Sequence, residues 1–272
     1  VSTAVAPDPQ TTPHPIPHPI QREDHMAAGP RPDLADVKAL TFDVFGTVVD
    51  FRSTIIAEGR RLSEKHGIEV DWPTFADEWR AEYRPGMDRV MAEEGSHDGA
   101  WANVDTIYRQ ALDMLLGKHG ITCLSEPEKV DLNLIWHRLD PWGDSVEGLE
   151  RLRKRFILAT LSNGNVRLLV DLARYAKLPW DMILSSEIVR AYKPDPRTYR
   201  SAVDYLDLQP HEIMMVAAHQ YDLRAAQAQG FRAAFVMRPL EHGPAATVDL
   251  TIDDSFDVVA NDMVDLARQF GL

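Results

Sequence analysis

Two rhythms of apolar and polar positions run along the chain. Short, nearly unbroken apolar runs occur at residues 37–42, 156–161, 182–185, 213–217 and 232–236. Runs of this length predict buried strands. Between them the apolar residues recur at helical spacing. In 166–175, for example, Leu168, Leu169, Leu172 and Ala173 share one face. Strands alternating with helices predict an α/β fold, a parallel sheet covered by helices on both sides. The stretch between the first two strands is too long for a simple crossover and reads as helical, over 53–66, 72–94, 101–119 and 126–138. A connection of that length is expected to form a domain of its own. The pattern therefore predicts a core built from 35–52 and 139–272, with a helical cap, 53–138, inserted after the first strand. The hinges fall near Phe51-Arg52 and Asp140-Pro141-Trp142.

Residues 1–34 follow neither rhythm. Pro7, Pro9, Pro13, Pro15, Pro17 and Pro19 alternate with polar residues and with His14 and His18. Such a segment buries little apolar surface and predicts disorder or polyproline II. His14, His18 and His25 read as solvated rather than as metal ligands. Met26 is an alternative start. The acidic set Glu93, Glu94 and Asp98 reads as a solvated face.

Charge narrows the partners. The formal net charge is −13 over 272 residues. A surface of that sign repels nucleic-acid phosphates and anionic membranes, so neither is expected as a partner. A small anionic substrate then requires positive charge concentrated locally. The single cysteine, Cys123, allows no intrachain disulfide and fits a cytoplasmic protein. It reads as a semi-buried bystander. No apolar run approaches the roughly 18 residues of a membrane span, and no secretory h-region is seen near the N-terminus.

In doubly wound folds, ligands gather beyond the carboxyl ends of the strands. The residues there are Asp43-Val44-Phe45-Gly46-Thr47, Ser162-Asn163-Gly164, Lys193-Pro194-Asp195 and Ala217-Ala218-His219-Gln220-Tyr221-Asp222. Acids, a lysine, an asparagine and hydroxyls thus converge at one end of one sheet. In order and spacing, Asp43-x-Phe45-Gly46-Thr47, Ser162-Asn163, Lys193-Pro194 and Asp222 resemble the motifs of the haloacid dehalogenase superfamily. That resemblance spans roughly residues 36–270. It implies a Rossmannoid core with an inserted cap, and Asp43 as nucleophile beside Lys193, Asp222 and Thr47.

Most of that superfamily are phosphatases, and two positions argue against that chemistry. Phe45 stands where phosphatases carry a second aspartate that protonates the leaving alkoxide. Ala217-Ala218 stands where they carry an acidic Mg²⁺ ligand. A halide leaves without protonation, so neither change harms displacement at carbon, and no metal or other cofactor is expected. Trp79-Arg80, Leu161-Ser162-Asn163-Gly164 and Lys193-Pro194-Asp195-Pro196-Arg197-x-Tyr199 are similar to runs of the type II 2-haloacid dehalogenases.

That likeness implies a short 2-halocarboxylate substrate, opened through an aspartyl ester to a 2-hydroxy acid and halide. It puts Ser162 and backbone N–H groups, with Val44 and Phe45 beside the nucleophile, at the substrate carboxylate. Arg80 and Asn163 would hold the halide, Lys193 would neutralise Asp43, and Asp222 would help activate water. Tyr199 belongs to the same set. Family members are often dimers, which leaves a homodimer open.

One departure stands out. His219 follows Ala217-Ala218 where Ser-Ser-Asn is usual, so His219 replaces lost donors or acts as a base. Plainer roles stand beside these: packing for Thr47 and Tyr199, a solvated surface for Arg80, second-layer hydrogen bonding for His219, and core rather than pocket for Trp101. A phosphatase with an unusual acid and metal site and a non-catalytic interaction protein are the competing functions. Halide against phosphate release, with and without Mg²⁺, separates the first; a covalent adduct with a halocarboxylate separates the second.

Overall fold

The computed structural model describes residues 34–93 and 101–272. The proline-rich segment with its histidines and Met26, and Glu94 and Asp98, lie outside the described residues. After a 3-10 turn at Leu34–Asp36, the chain forms β1 (Ala39–Phe42) and a short β2 (Val49–Asp50). Helices α1 (Phe51–His66), α2 (Trp72–Ala81), α3 (Tyr83–Glu93), α4 (Val104–Lys118) and α5 (Glu126–Asn133) follow, then a 3-10 turn at Leu134–His137. Strand β3 (Asp140–Pro141) returns the chain to the core, which continues as α6 (Ser145–Leu152), β4 (Ile157–Ser162), α7 (Val166–Ala176) and β5 (Met182–Ser185). The remainder is α8 (Ser186–Val189), α9 (Pro196–Leu206), β6 (Ile213–Ala217), α10 (Gln220–Gln227), β7 (Arg232–Val236), β8 (Val258–Ala260) and α11 (Met263–Gln269).

Six strands pair in the order β5-β4-β1-β6-β7-β8, all parallel. β1 and β6 are buried throughout, as expected of strands covered on both faces. From β1 the connections run first towards β4 and β5, then back across to β6, β7 and β8. The carboxyl end of β1 is therefore a switch point, where a crevice opens. The cap joins the core through the antiparallel pair β2–β3, with Val49 opposite Pro141 and Asp50 opposite Asp140. Directly after β2, α1 begins at Phe51.

Two helical expectations need correction. The single helix expected over 72–94 is two, because Pro85 in the first turn of α3 has no N–H to give the preceding turn. The helix expected over 126–138 tightens to 3-10 geometry after Asn133. Cys123 is exposed rather than semi-buried, since the loop around it buries only Ile121 and Leu124.

Candidate active site

Asp43 is the first residue past the central strand β1, and its backbone N–H still bonds to Val216 of β6. Its side chain therefore leaves the sheet at the switch point. Three donors reach its two oxygens. Lys193 Nζ is 3.0 Å from Oδ1; Thr47 Oγ1 donates to Oδ2 at 2.8 Å, and His219 Nδ1 is 2.9 Å from the same oxygen. Burial disfavours the charge, but Lys193 and His219 outweigh it and hold the Asp43 carboxyl well below the usual carboxylate range. The group is thus an ionised carboxylate of small exposure.

A second layer fixes those donors. Lys193 Nζ also lies 2.5 Å from Asp222 Oδ2, and Tyr199 donates its hydroxyl to Asp222 Oδ1 at 2.6 Å. Both Asp222 oxygens are engaged and the residue is fully buried behind the ammonium. In the resting structure Asp222 thus holds Lys193 and Tyr199. Thr47 Oγ1 accepts from the backbone N–H of Ala218 at 2.9 Å, which turns its hydrogen towards Asp43. Asn163 Oδ1 accepts from Ser186 Oγ at 2.7 Å and from the backbone of Lys193 at 2.8 Å, leaving its amide N–H₂ as the outward donor. Ser162 is buried beside it, with its hydroxyl accepting from Gly164 N–H at 3.2 Å. Val44 and Phe45 bury their side chains in the packing, and Phe45 meets Tyr83 and Trp136 edge-on.

The residue that sequence reasoning missed is Glu241. It lies in the irregular segment after β7, is 2% exposed, and sets Oε1 2.9 Å from His219 Nε2. His219 is thus gripped by a carboxylate on each nitrogen. Burial lowers its pKa, but Asp43 and Glu241 together raise it well above the ordinary histidine value. It is an imidazolium while Asp43 is charged. No periodicity or motif marks Glu241. The one sequence signal is Gly46, whose φ of +81° favours glycine and where a Cβ would lie 2.1 Å from Glu241 Oε1.

Arg80 arrives from the cap. Its guanidinium carbon lies 4.3 Å from the Tyr83 ring centre and 5.3 Å from that of Phe51. With Tyr83, His219, Glu241 and His242 it lines a cavity of about 580 Å³ between α2–α3 and the core loops. Trp101 is elsewhere: it stacks on Tyr192 at 4.5 Å between ring centres.

These features agree with the comparisons. Residues 37–230 match the family model described as haloacid dehalogenase-like hydrolase. The (S)-2-haloacid dehalogenase of Xanthobacter autotrophicus is 30% identical over 74% of this chain and 76% of its own length. The crystal structure of the L-2-haloacid dehalogenase PA0810 superposes with a TM-score of 0.81 at 42% identity, covering 86% of this chain and 99% of that one. The defluorinating L-2-haloacid dehalogenase Rha0230 gives 0.81 at 43%, covering 87% and 96%. With its α/β sheet, its inserted helical cap and its Asp43 at the switch point, the chain belongs to the haloacid dehalogenase superfamily and, within it, to the L-2-haloacid dehalogenase family.

Proposed function

We propose that this protein hydrolyses short 2-haloalkanoic acids to 2-hydroxy acids and halide through an ester on Asp43. The observation that carries this reading is the ionised, nearly buried Asp43 carboxylate, aimed from the strand end and held by Lys193, Thr47 and His219. In the first step an Asp43 oxygen attacks C2 from the side opposite the halogen. The carbon–halogen electron pair leaves with the halide, and C2 inverts. Nothing in that step needs a proton, which suits Phe45 in place of an acid. Arg80 and the Asn163 amide receive the growing negative charge.

Esterification removes the charge of Asp43, so His219 loses one of its two anionic partners. Its pKa falls, so it gives the Asp43-facing proton to solvent, the net proton of the reaction, and then takes one from water on the freed nitrogen, with Glu241 holding the other. The hydroxide formed attacks the Asp43 carbonyl carbon, and Lys193 stabilises the oxyanion. The ester bond between that carbon and the product oxygen breaks. The product oxygen takes a proton from His219, the new Asp43 carboxylic acid passes its own proton back to His219, and Asp43 returns as a carboxylate beside the imidazolium. The reaction as written takes no cofactor.

The test is a single turnover of 2-chloropropionate in ¹⁸O water with enzyme in excess. The label should enter Asp43 and not the product, and Asp43→Asn should release no halide. Label appearing directly in lactate would overturn the covalent route. A panel of fluoro-, chloro- and bromoacetate, read by halide release, sets the halogen range.

A further inference from the structure

Among the described residues of the cap, five polar side-chain atoms are buried with no hydrogen-bond partner, Arg80 Nε, Trp101 Nε1, the Tyr108 hydroxyl, Asn133 Oδ1 and Trp136 Nε1, and three of them, those of Arg80, Tyr108 and Trp136, sit in contacting side chains. These three come from α2, α4 and the 3-10 turn at Leu134–His137, yet they belong to one cluster. The Tyr108 and Trp136 rings are stacked with centres 3.7 Å apart and planes 5° apart. Tyr83 stacks on the other side of Tyr108 at 5.4 Å and carries the Arg80 guanidinium over its face. Phe51, also beneath Arg80, stacks on Trp136 at 6.0 Å. Trp136 in turn meets Phe45, two residues past the nucleophile. Three other indoles are satisfied, Trp72 by Ser63, Trp79 by the Tyr108 carbonyl and Trp142 by the Gly46 carbonyl, whereas the Trp101 indole, stacked on Tyr192 away from this cluster, is also buried without a partner. Leaving a donor buried and unpaired is unfavourable, and gathering several around one arginine is more so.

We propose that the Tyr108 hydroxyl and the Trp136 indole N–H complete, with Arg80, a cap-mounted cradle for the departing halide. This rests on the dehalogenase reading and adds two residues to it. A halide is spherical and only accepts, so it takes donors arriving from separate elements. A carboxylate asks for donors near its own plane. The ring edges around the cluster carry partial positive charge, and the apolar setting strengthens each contact. The cavity lined by Arg80 and Tyr83 gives the ion its way to solvent. Two donors beyond the arginine matter most for the leaving group with the densest charge, which is fluoride.

The deciding variant is Tyr108→Phe, which removes one oxygen and keeps the stacked ring; Trp136→Phe is its companion. Bromide titration of the resting enzyme is followed by calorimetry, with acetate as the carboxylate without a halogen. Loss of one such bond should weaken bromide by about tenfold in Tyr108→Phe. Acetate affinity should stay within twofold of wild type and the melting temperature should hold or rise, because the variant no longer buries an unpaired hydroxyl. Turnover should fall more on fluoroacetate than on bromoacetate. Bromide affinity and turnover unchanged in both variants would overturn the cradle, and so would an equal loss for acetate, which would make the cluster a carboxylate site. A wild-type enzyme that binds bromide through these donors yet releases no halide from haloacids would leave the cradle standing and remove the dehalogenase reading instead.

Discussion

At Asp43, three donors share two oxygens, and the proposed chemistry depends on one of them changing state. Thr47 is fixed by Ala218 N–H and Lys193 by Asp222, so neither can release a proton usefully. His219 can, once the ester cancels the Asp43 charge. Replacing it should therefore separate the two half-reactions. His219→Gln should still form the ester and then stall, with the adduct visible by mass spectrometry and steady turnover lowered about 10²–10⁴-fold. Glu241→Gln should keep turnover within reach of measurement and move the rising limb of its pH profile to lower pH, because Glu241 is one of the groups that raise His219. Full turnover in His219→Gln without adduct would give the base role to another residue. Asp43, Thr47, Lys193, Tyr199 and Asp222 were legible in the sequence because each follows a strand or opens a helix within a spaced motif. Glu241 was not, because an isolated acid in an irregular segment leaves no trace in periodicity, and its place is decided by contacts made only after folding.

The loop that follows β1 shows how neighbouring elements hold that chemistry in register. Three successive carbonyls are each pinned by a side chain from elsewhere. Gly46 accepts from the Trp142 indole at 2.9 Å, Thr47 from Arg238 Nε at 2.8 Å and Val48 from Ser145 Oγ at 2.7 Å. Arg238 is itself clamped by both oxygens of Asp144 at 2.8 Å, and it opens the segment that delivers Glu241. Gly46 is where this segment comes closest to the nucleophile loop. Gly46→Ala should cost on the order of 1–2 kcal/mol from the positive φ alone. It should also push Glu241 away from His219, so turnover should fall at least as far as in Glu241→Gln while the melting temperature drops. An alanine variant with wild-type turnover and melting temperature would mean that the loop relaxes freely and that Glu241 is not held through it. Five strands of the sheet and most helices followed from pattern alone. The sixth strand, Val258–Ala260, did not, since three residues between Asp257 and Asn261 carry too little apolar signal. The break between α2 and α3 was signalled by Pro85 within an otherwise continuous helical rhythm.

Across the whole molecule, the cap and the core are tied on one seam by a buried histidine. His137, in the turn that ends the cap, sets Nε2 3.0 Å from Asp105 of α4 and Nδ1 2.9 Å from Asp171 of α7. Asn165 at the start of α7 donates to the other Asp105 oxygen at 2.9 Å, and exposed Arg167 approaches Asp171 at 3.5 Å. The cluster therefore fastens the cap to the segment that carries Ser162 and Asn163. Burial lowers the pKa of His137, but the two aspartates more than compensate and raise it above 6.5. A histidine raised in the folded state stabilises that state most below its unfolded pKa, and the contribution disappears as pH rises through the folded value. The seam should thus be firmest in mild acid and loosen above pH 6.5. Melting temperatures of wild type and His137→Gln, compared between about pH 6 and pH 9, should differ most at the acid end and converge as the pH rises. His219 titrates identically in both proteins, so it cancels from that difference. A gap that stays constant across the range would mean that His137 does not change its charge within it, and would overturn the pH-dependent seam.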